Sequence, residues 1–265
     1  MGTTHFKGPI EFSSATPALE NLNIGTWPDQ QYYMDDFQGK ALDTTNWWTA
    51  IKDGGAPTVA LVADSKNGEL LLSSQATTND SGSSIQGGQE VWALPTLEKD
   101  TLYFETRVKA SAVATMDMYV GFSETFATNP EAVLASANLI GFQLISGSGQ
   151  VVTTTEAAGT GVTRVSTEAL GLMADATYIT LGFVAKNKPS TSRNSVDFYV
   201  NRQLLCTHNN DGVVGGTQTA STIPTANMKI ALFELSGNAS GTKTLTVDYV
   251  MAAQDRGVTY SPARN

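Results

Sequence analysis

The segment TLYFETRVKAS (residues 101–111) decides the fold class, because apolar and polar side chains alternate along it. Side chains at even positions from Leu102 to Val108 fall on one face, and those at odd positions from Tyr103 to Lys109 fall on the other. This period of two is typical of a β-strand with one face packed on a core. The segment therefore predicts a half-buried strand.

Further strand candidates recur at short intervals on both sides of this segment, and turn residues separate them. Between VDFYV and QLLCT, Asn201 and Arg202 predict a tight hairpin. The candidates are GELLLSS (68–74), MDMYVGFSE (116–124), NLIGFQLIS (138–146), GQVVTTTE (149–156), YITLGFVAK (178–186), VDFYVNRQLLC (196–206), MKIALFEL (228–235) and KTLTVDYVMAA (243–253).

Helix signals are weak. The segment TNPEAVLASAN (128–138) predicts a short helical connector, with Asn129 as its cap and Pro130 at its first position. A second connector is predicted over STEALGLMADA (166–176). About ten short strands with so little helix predict an all-β fold, an antiparallel jelly-roll β-sandwich.

The start of the chain has a different pattern. Gly and Pro residues interrupt every period between residue 1 and about residue 33, although apolar side chains are interspersed. Such a stretch cannot bury its own core. We therefore expect an extended irregular N-terminal arm over residues 1–33, a β-sandwich over 34–256 and a C-terminal tail over 257–265.

The amino-acid composition disfavours some classes of function. Only 15% of the 265 residues are charged and the net charge is −9, which disfavours binding to nucleic acid or to an anionic membrane surface. Cys206 is the single cysteine, so an intrachain disulfide is excluded. There is no apolar run of signal-peptide length in the first thirty residues. We expect the chain to fold in a cytoplasm.

Catalytic residue types are scarce. The two histidines are His5, in the irregular arm, and His208, which is predicted to lie in the turn THNNDG. Neither position favours a Ser-His-Asp arrangement, and the same scarcity argues against a zinc site. The segment HNNDGVVGG (208–216) has oxygen ligands that could wrap calcium, but its residues are also those of an ordinary turn, which is the favoured interpretation. We expect no metal and no cofactor.

Glycoside hydrolysis needs two carboxylates about 5 Å apart, a separation that alternate residues of one strand would supply. The strand candidates carry only single acids, among them Glu105, Asp117, Asp197 and Asp248. We therefore expect no catalytic residues.

Tryptophan and tyrosine residues leave two interpretations open. They could form a stacking surface for sugars, although aromatic residues of a sheet protein more often fill the core. Trp48 is the candidate glycan contact. The residues concerned are Trp27, Tyr32, Tyr33, Trp47, Trp48 and Trp92.

Several of these segments carry a resemblance to a known family. The stretches DDFQGKALDTTNWWTA, NGELLLSS, LYFETRVKAS, VGFSE, YITLGFVAK, VDFYVNRQ and LTVDYVMAAQDR resemble the concanavalin A-like, laminin-G-type jelly roll over residues 34–256. Enzymes of that group, the family 16-like glycoside hydrolases, carry an E-x-D-x-x-E strand. No such strand occurs in this sequence, so the resemblance implies the fold without the hydrolase activity.

The opening MGTTHFKGPI is similar to the starts of structural proteins of tailed bacteriophages. This resemblance implies a non-enzymatic head decoration (cement) protein on the outer capsid surface of a virion, which binds the major capsid protein and forms a homo-oligomer, a dimer or a trimer. Two alternatives stay open: a carbohydrate-binding module of a phage fibre or spike that contacts host surface glycans, and, less favoured, a family 16-like glycoside hydrolase. The expected capsid contacts are Phe6, Lys7, Pro9, Ile10 and Phe12.

Overall fold

Two antiparallel β-sheets stack face to face in the computed structural model of the chain. The core lies between them, and the all-β antiparallel sandwich expected from the sequence is confirmed. The structure describes residues 30–63, 65, 68–75, 80–94, 101–124, 129–147, 149–158, 160–166, 172–186, 194–209, 223–238 and 241–255.

Fifteen strands form the two sheets within these residues. Sheet A has the order β13-β12-β11-β6-β15-β4-β3, with β1 also paired to β15, and sheet B has the order β10-β9-β8-β7-β14-β5-β2. The strands are β1 (Gln30–Asp35), β2 (Trp48–Asp53), β3 (Thr58–Leu61), β4 (Leu70–Ser73), β5 (Gly82–Gly87), β6 (Thr101–Ala110), β7 (Met116–Ser123), β8 (Leu139–Leu144), β9 (Val151–Ala157), β10 (Thr160–Ser166), β11 (Tyr178–Lys186), β12 (Ser195–Val200), β13 (Gln203–Asn209), β14 (Lys229–Ser236) and β15 (Thr244–Asp255).

Strand β6 places its even-numbered side chains in the core, as the sequence predicts, but it is not half-buried, because Tyr103 and Glu105 on its other face are also buried. Leu102, Phe104 and Val108 are fully buried in the core between the sheets. The Phe104 ring stacks on Phe183 of the same sheet, with centroids 5.3 Å apart, and contacts Phe122 of sheet B edge-on at 5.4 Å. Burial of such rings supplies most of the stabilisation that holds the sheets together.

Five strands were not among the sequence candidates: β1, β2, β3, β5 and β10. Strand β5 reads GSSIQG, and its Gly and Ser residues hide any period of two, but it lies between β14 and β2 with Ile85 in the core. Strand β1 begins at Gln30, four residues before the expected start of the sandwich, and pairs with β15. The three-part domain division stays a prediction.

The hairpin predicted at residues 201 and 202 is present. Asn201 and Arg202 have φ angles of 49° and 64° between β12 and β13, as a two-residue turn that follows the twist of its strands requires.

The first helical connector was wrong in type, and the second is described only at its ends. In the first, Asn129 accepts a hydrogen bond from the Ala132 amide at 2.8 Å, but the chain makes only a 3₁₀ turn over Glu131–Ala135 before Ser136 becomes extended. Of the second, residues 167–171 lie outside the described part of the chain, while β10 extends to Ser166 and Leu172 lies in an isolated β-bridge. In the described part of the chain, no helix has the length and apolar character needed to cross a membrane.

His208 does not lie in a turn, as the sequence suggested, but on β13 with its side chain between the sheets. Its Nε2 lies 2.9 Å from the Thr153 hydroxyl and its Nδ1 lies 2.9 Å from the Thr155 hydroxyl. Burial lowers the pKa of His208 to about 4. Cys206, two residues earlier, is half-buried and its sulfur lies 3.5 Å from the Thr153 hydroxyl. This pair of residues joins the two sheets.

Candidate functional site

A cavity of about 750 Å³ lies at one end of the sandwich, where β1 passes the ends of three strands of sheet B. Strand β2 begins there at Trp48, β5 ends there at Gly87, and Ile230 is the second residue of β14. The described lining comprises five aromatic, three carboxamide, two glycine and two aliphatic residues. Its aromatic and amide groups are of the kind that bind small polar ligands in proteins.

One side of the cavity is an aromatic wall made of Tyr32, Tyr33, Trp47 and Trp48. The Tyr33 ring lies 5.2 Å from Trp47 at a tilt of 40°, and 5.8 Å from Trp48 in an edge contact. Trp47 is 56% exposed and Tyr32 is 44% exposed, whereas Trp48 is only 2% exposed. The wall therefore presents two ring surfaces to solvent on a buried support.

Asp35, at the end of β1, fixes this wall from behind. Its Oδ2 accepts hydrogen bonds from Trp48 Nε1 at 2.9 Å and from the Tyr33 hydroxyl at 3.2 Å, and its Oδ1 accepts the Phe37 amide at 2.9 Å. Burial and the charge of Asp35 raise the pKa of Tyr33 well above its usual value. The Tyr33 hydroxyl therefore stays protonated and donates a hydrogen bond to Asp35.

Polar groups surround the remaining sides of the cavity. Gln31 and Gln89 line it, and Asn46 is held by a turn in which its Nδ2 donates to both carboxyl oxygens of Asp43, at 3.2 and 3.0 Å. Glu90, next to Gln89 in the chain, forms an ion pair with the buried Lys229 at 3.2 Å. Glu90 is 42% exposed at its side chain, so its carboxylate stays open to solvent.

The centre of the outer face of sheet B is apolar. Tyr119, Leu139 and Phe233 form a second apolar cluster there, with Val133 of the 3₁₀ turn packed among them. Gly141 permits this packing, because a Cβ atom at that position would lie 2.9 Å from the Tyr119 hydroxyl oxygen. On the described strands of this sheet, no two carboxylates are separated by one residue.

The sequence-predicted sites stand as follows. Phe6, Lys7, Pro9, Ile10 and Phe12 lie outside the described residues. Trp48 lines the cavity, but its ring is buried against the core, and its neighbour Trp47 is the residue that reaches solvent.

The sequence placed Trp47 and Tyr32 in a possible sugar-stacking set but chose Trp48 as the glycan contact, and it did not mark Glu90. The adjacent pair Trp47-Trp48 carried a usable signal for Trp47, because consecutive side chains at a strand start point in opposite directions. No pattern marked Glu90, which follows the Gly87-Gly88 turn. Among the described residues no group of three or more His, Cys, Asp or Glu side chains could hold a metal ion.

Comparison with known structures settles the fold. The endo-1,3-β-glucanase of Streptomyces sioyaensis matches with a TM-score of 0.58 at 14% identity, over 86% of this chain and 97% of that one. Arcelin-5, a lectin-like defence protein from Phaseolus vulgaris, matches with a TM-score of 0.52 at 8% identity, over 86% and 100%. This chain has a concanavalin A-like jelly-roll fold. The endo-β-1,3-glucanase of Pyrococcus furiosus is also similar, with a TM-score of 0.57 at 14% identity, over 84% and 93%.

Comparison by sequence covers less of the chain. No protein-family model matches it. Beta-porphyranase E of Zobellia galactanivorans is 32% identical over 95 residues, which is 33% of this chain and 33% of that protein. The match thus spans about a third of the relative's length.

These similarities correct the functional predictions. The predicted role as a phage capsid decoration protein is wrong, and so is the expectation that the protein is not an enzyme, because the similar proteins include endo-glucanases and a porphyranase. The carbohydrate-binding module of a phage fibre is not favoured either. The absence of paired acids on one strand does not exclude an enzyme, because carboxylates can also come from turns, as Glu90 does. The expected capsid partner, homo-oligomer and virion location derived from the phage role and are not tested by these similarities.

Proposed function

We propose that this protein is a glycoside hydrolase with a family 16-like jelly roll, and that it binds a β-linked polysaccharide in the cavity at the aromatic wall. The observation that supports the proposal best is the exposed Trp47 ring beside a cavity of about 750 Å³, on a fold that endo-glucanases share.

The chemistry of the cavity fits a sugar chain. The faces of Trp47 and Tyr32 offer flat apolar surface for the C–H face of a sugar ring, and the burial of that surface favours binding. Carboxamides both donate and accept hydrogen bonds, as sugar hydroxyls do, and Gln31 and Gln89 place two of them on the lining.

Hydrolysis requires one carboxyl group that protonates the leaving oxygen and a second that acts as nucleophile or as base toward water. We propose that Glu90 supplies one of the two, because it is half-exposed and follows the lining residue Gln89. Lys229 holds the Glu90 side chain in place through their ion pair. Glu90 adjoins the described lining but is not part of it, and none of the described lining residues is a carboxylate.

The test is to incubate the protein with β-1,3-glucan, mixed-linkage β-glucan and porphyran and to measure the reducing ends released. Trp47→Ala should lower kcat/KM about tenfold or more, because it removes the exposed ring on which a sugar would stack. A tenfold loss corresponds to about 1.4 kcal/mol of binding free energy. Leu204→Ala is the matched control, because Leu204 is 54% exposed on edge strand β13. Glu90→Gln should lower kcat by about a hundredfold or more, as loss of an acid or base does.

Two results would contradict the proposal. One is the absence of new reducing ends from every polysaccharide; the other is equal kinetics for Trp47→Ala and Leu204→Ala. Circular dichroism of each variant shows whether it retains the β-sheet fold.

A further inference from the structure

We infer that the cavity selects an uncharged glycan over a sulfated or uronate-containing one, an inference that rests on the proposed function. None of the twelve described residues that line the cavity is charged. Proteins usually bind sulfate and carboxylate groups through the charge-assisted hydrogen bonds of Arg and Lys. The described lining offers no such donor to an anionic sugar.

The charges immediately behind the lining are mostly negative. Asp35 holds Tyr33 and Trp48, Asp43 holds Asn46, and Glu90 follows Gln89 in the chain. The hydrogen bonds from Asn46 keep the pKa of Asp43 below its usual value, so this carboxylate stays ionised.

Lys229 precedes the lining residue Ile230 in the chain, and its ammonium group forms an ion pair with the Glu90 carboxylate at 3.2 Å. It is 3% exposed. The local balance of fixed charge is therefore negative, which disfavours the approach of an anionic ligand.

The whole chain adds to this effect. Its net charge is −9, and repulsion between a negative protein and a polyanion acts over about 8 Å at physiological salt. A neutral glycan meets no such repulsion. It gains the same stacking on Trp47 and the same amide hydrogen bonds.

The test compares one β-glucan and one β-galactan, each in its neutral form and in its chemically sulfated form, by isothermal titration calorimetry at 20 and 300 mM salt. We expect at least one neutral polymer to bind, with an affinity that salt leaves unchanged within twofold, and its sulfated form to bind at least tenfold more weakly. Gln89→Lys places a cation on the lining and should increase the affinity for the sulfated form at least fivefold at 20 mM salt. Gln89→Met, of similar length and uncharged, should not.

Each other outcome overturns a distinct statement. Equal or tighter binding of the sulfated polymer by the unmodified protein overturns the selection of uncharged glycans and leaves the cavity as a glycan site. Failure of all four polymers to bind overturns the glycan site itself, and with it the proposed function. An unchanged Gln89→Lys variant would show that charge on the lining does not control selection.

Discussion

Two acidic side chains at opposite ends of the sandwich have opposite surroundings. Asp35, behind the aromatic wall, accepts three hydrogen bonds. Glu234, near the far end of β14, is fully buried, and within the described part of the chain neither of its carboxyl oxygens has a hydrogen-bond partner. Burial raises the pKa of Glu234 to about 9. The nearby Lys243 charge opposes this only weakly, and the Ser74 hydroxyl is hydrogen-bonded to the Lys243 backbone rather than to Glu234.

The difference shows which end of the sandwich is organised around polar contacts. At the cavity end, a carboxyl group positions aromatic rings that reach solvent. At the far end, the acid is kept neutral because its surroundings cannot solvate a charge. A carboxyl group thus positions a site in one place and limits stability in the other.

Glu234 should make the protein lose stability as the pH rises. Between pH 4.5 and about 9 the folded state keeps a proton on Glu234 that the unfolded state releases. The free energy of unfolding should therefore decline across this window, by roughly 5 kcal/mol in total. Urea unfolding of the wild type and of Glu234→Gln at pH 5, 7 and 9 measures this, and the variant should lack most of the decline. If the free energy of unfolding of both proteins changed with pH to the same extent, Glu234 would not stay protonated in the folded state.

His208 should act with the opposite sign on the acid side. Its pKa is about 4 in the folded state against an ordinary 6.5, so between these values the unfolded state binds a proton that the folded state excludes. Stability present above pH 6.5 should be lost as the pH falls toward 4, by about 3 kcal/mol. NMR titration of the histidine ring protons reads the pKa directly. A His208 resonance that titrates near 6.5 would contradict the burial argument.

The sequence predicted the strands whose side chains alternate, and missed those whose neighbours impose the extended form. Strand β6 alternates apolar and polar residues and was predicted. Strand β5 is almost wholly polar, and its hydrogen bonds to β14 and β2 make it a strand. The short helix predicted at 128–138 became a 3₁₀ turn, although its cap at Asn129 formed as expected. A local sequence pattern therefore predicts the conformation of a segment such as β6, whereas pairing with neighbouring strands determines that of a segment such as β5.

The candidate site was less predictable, because it is built from segments that are distant in sequence. Trp48 bonds to Asp35 across 13 positions, and Glu90 pairs with Lys229 from another element. A period of two separates core side chains from outer ones, but it does not tell which turns converge at the end of a sandwich. For this reason Trp48 was singled out and the exposed Trp47 was not.

Asp35 offers the sharpest test of the contrast with Glu234, since both acids can be changed to their amides. Asp35→Asn keeps one carbonyl oxygen as acceptor and should destabilise the protein by about 1 kcal/mol, whereas Asp35→Ala leaves the buried Trp48 Nε1 and Tyr33 hydroxyl without their acceptor and should cost about 2 kcal/mol. At pH 8 Glu234→Gln should instead stabilise the folded protein. The buried Glu234 must take up a proton on folding at this pH, whereas the neutral amide of Gln need not. Urea unfolding of the three variants at that pH decides the matter. If the two amide substitutions shift stability in the same direction, the different surroundings of these acids do not control their contribution.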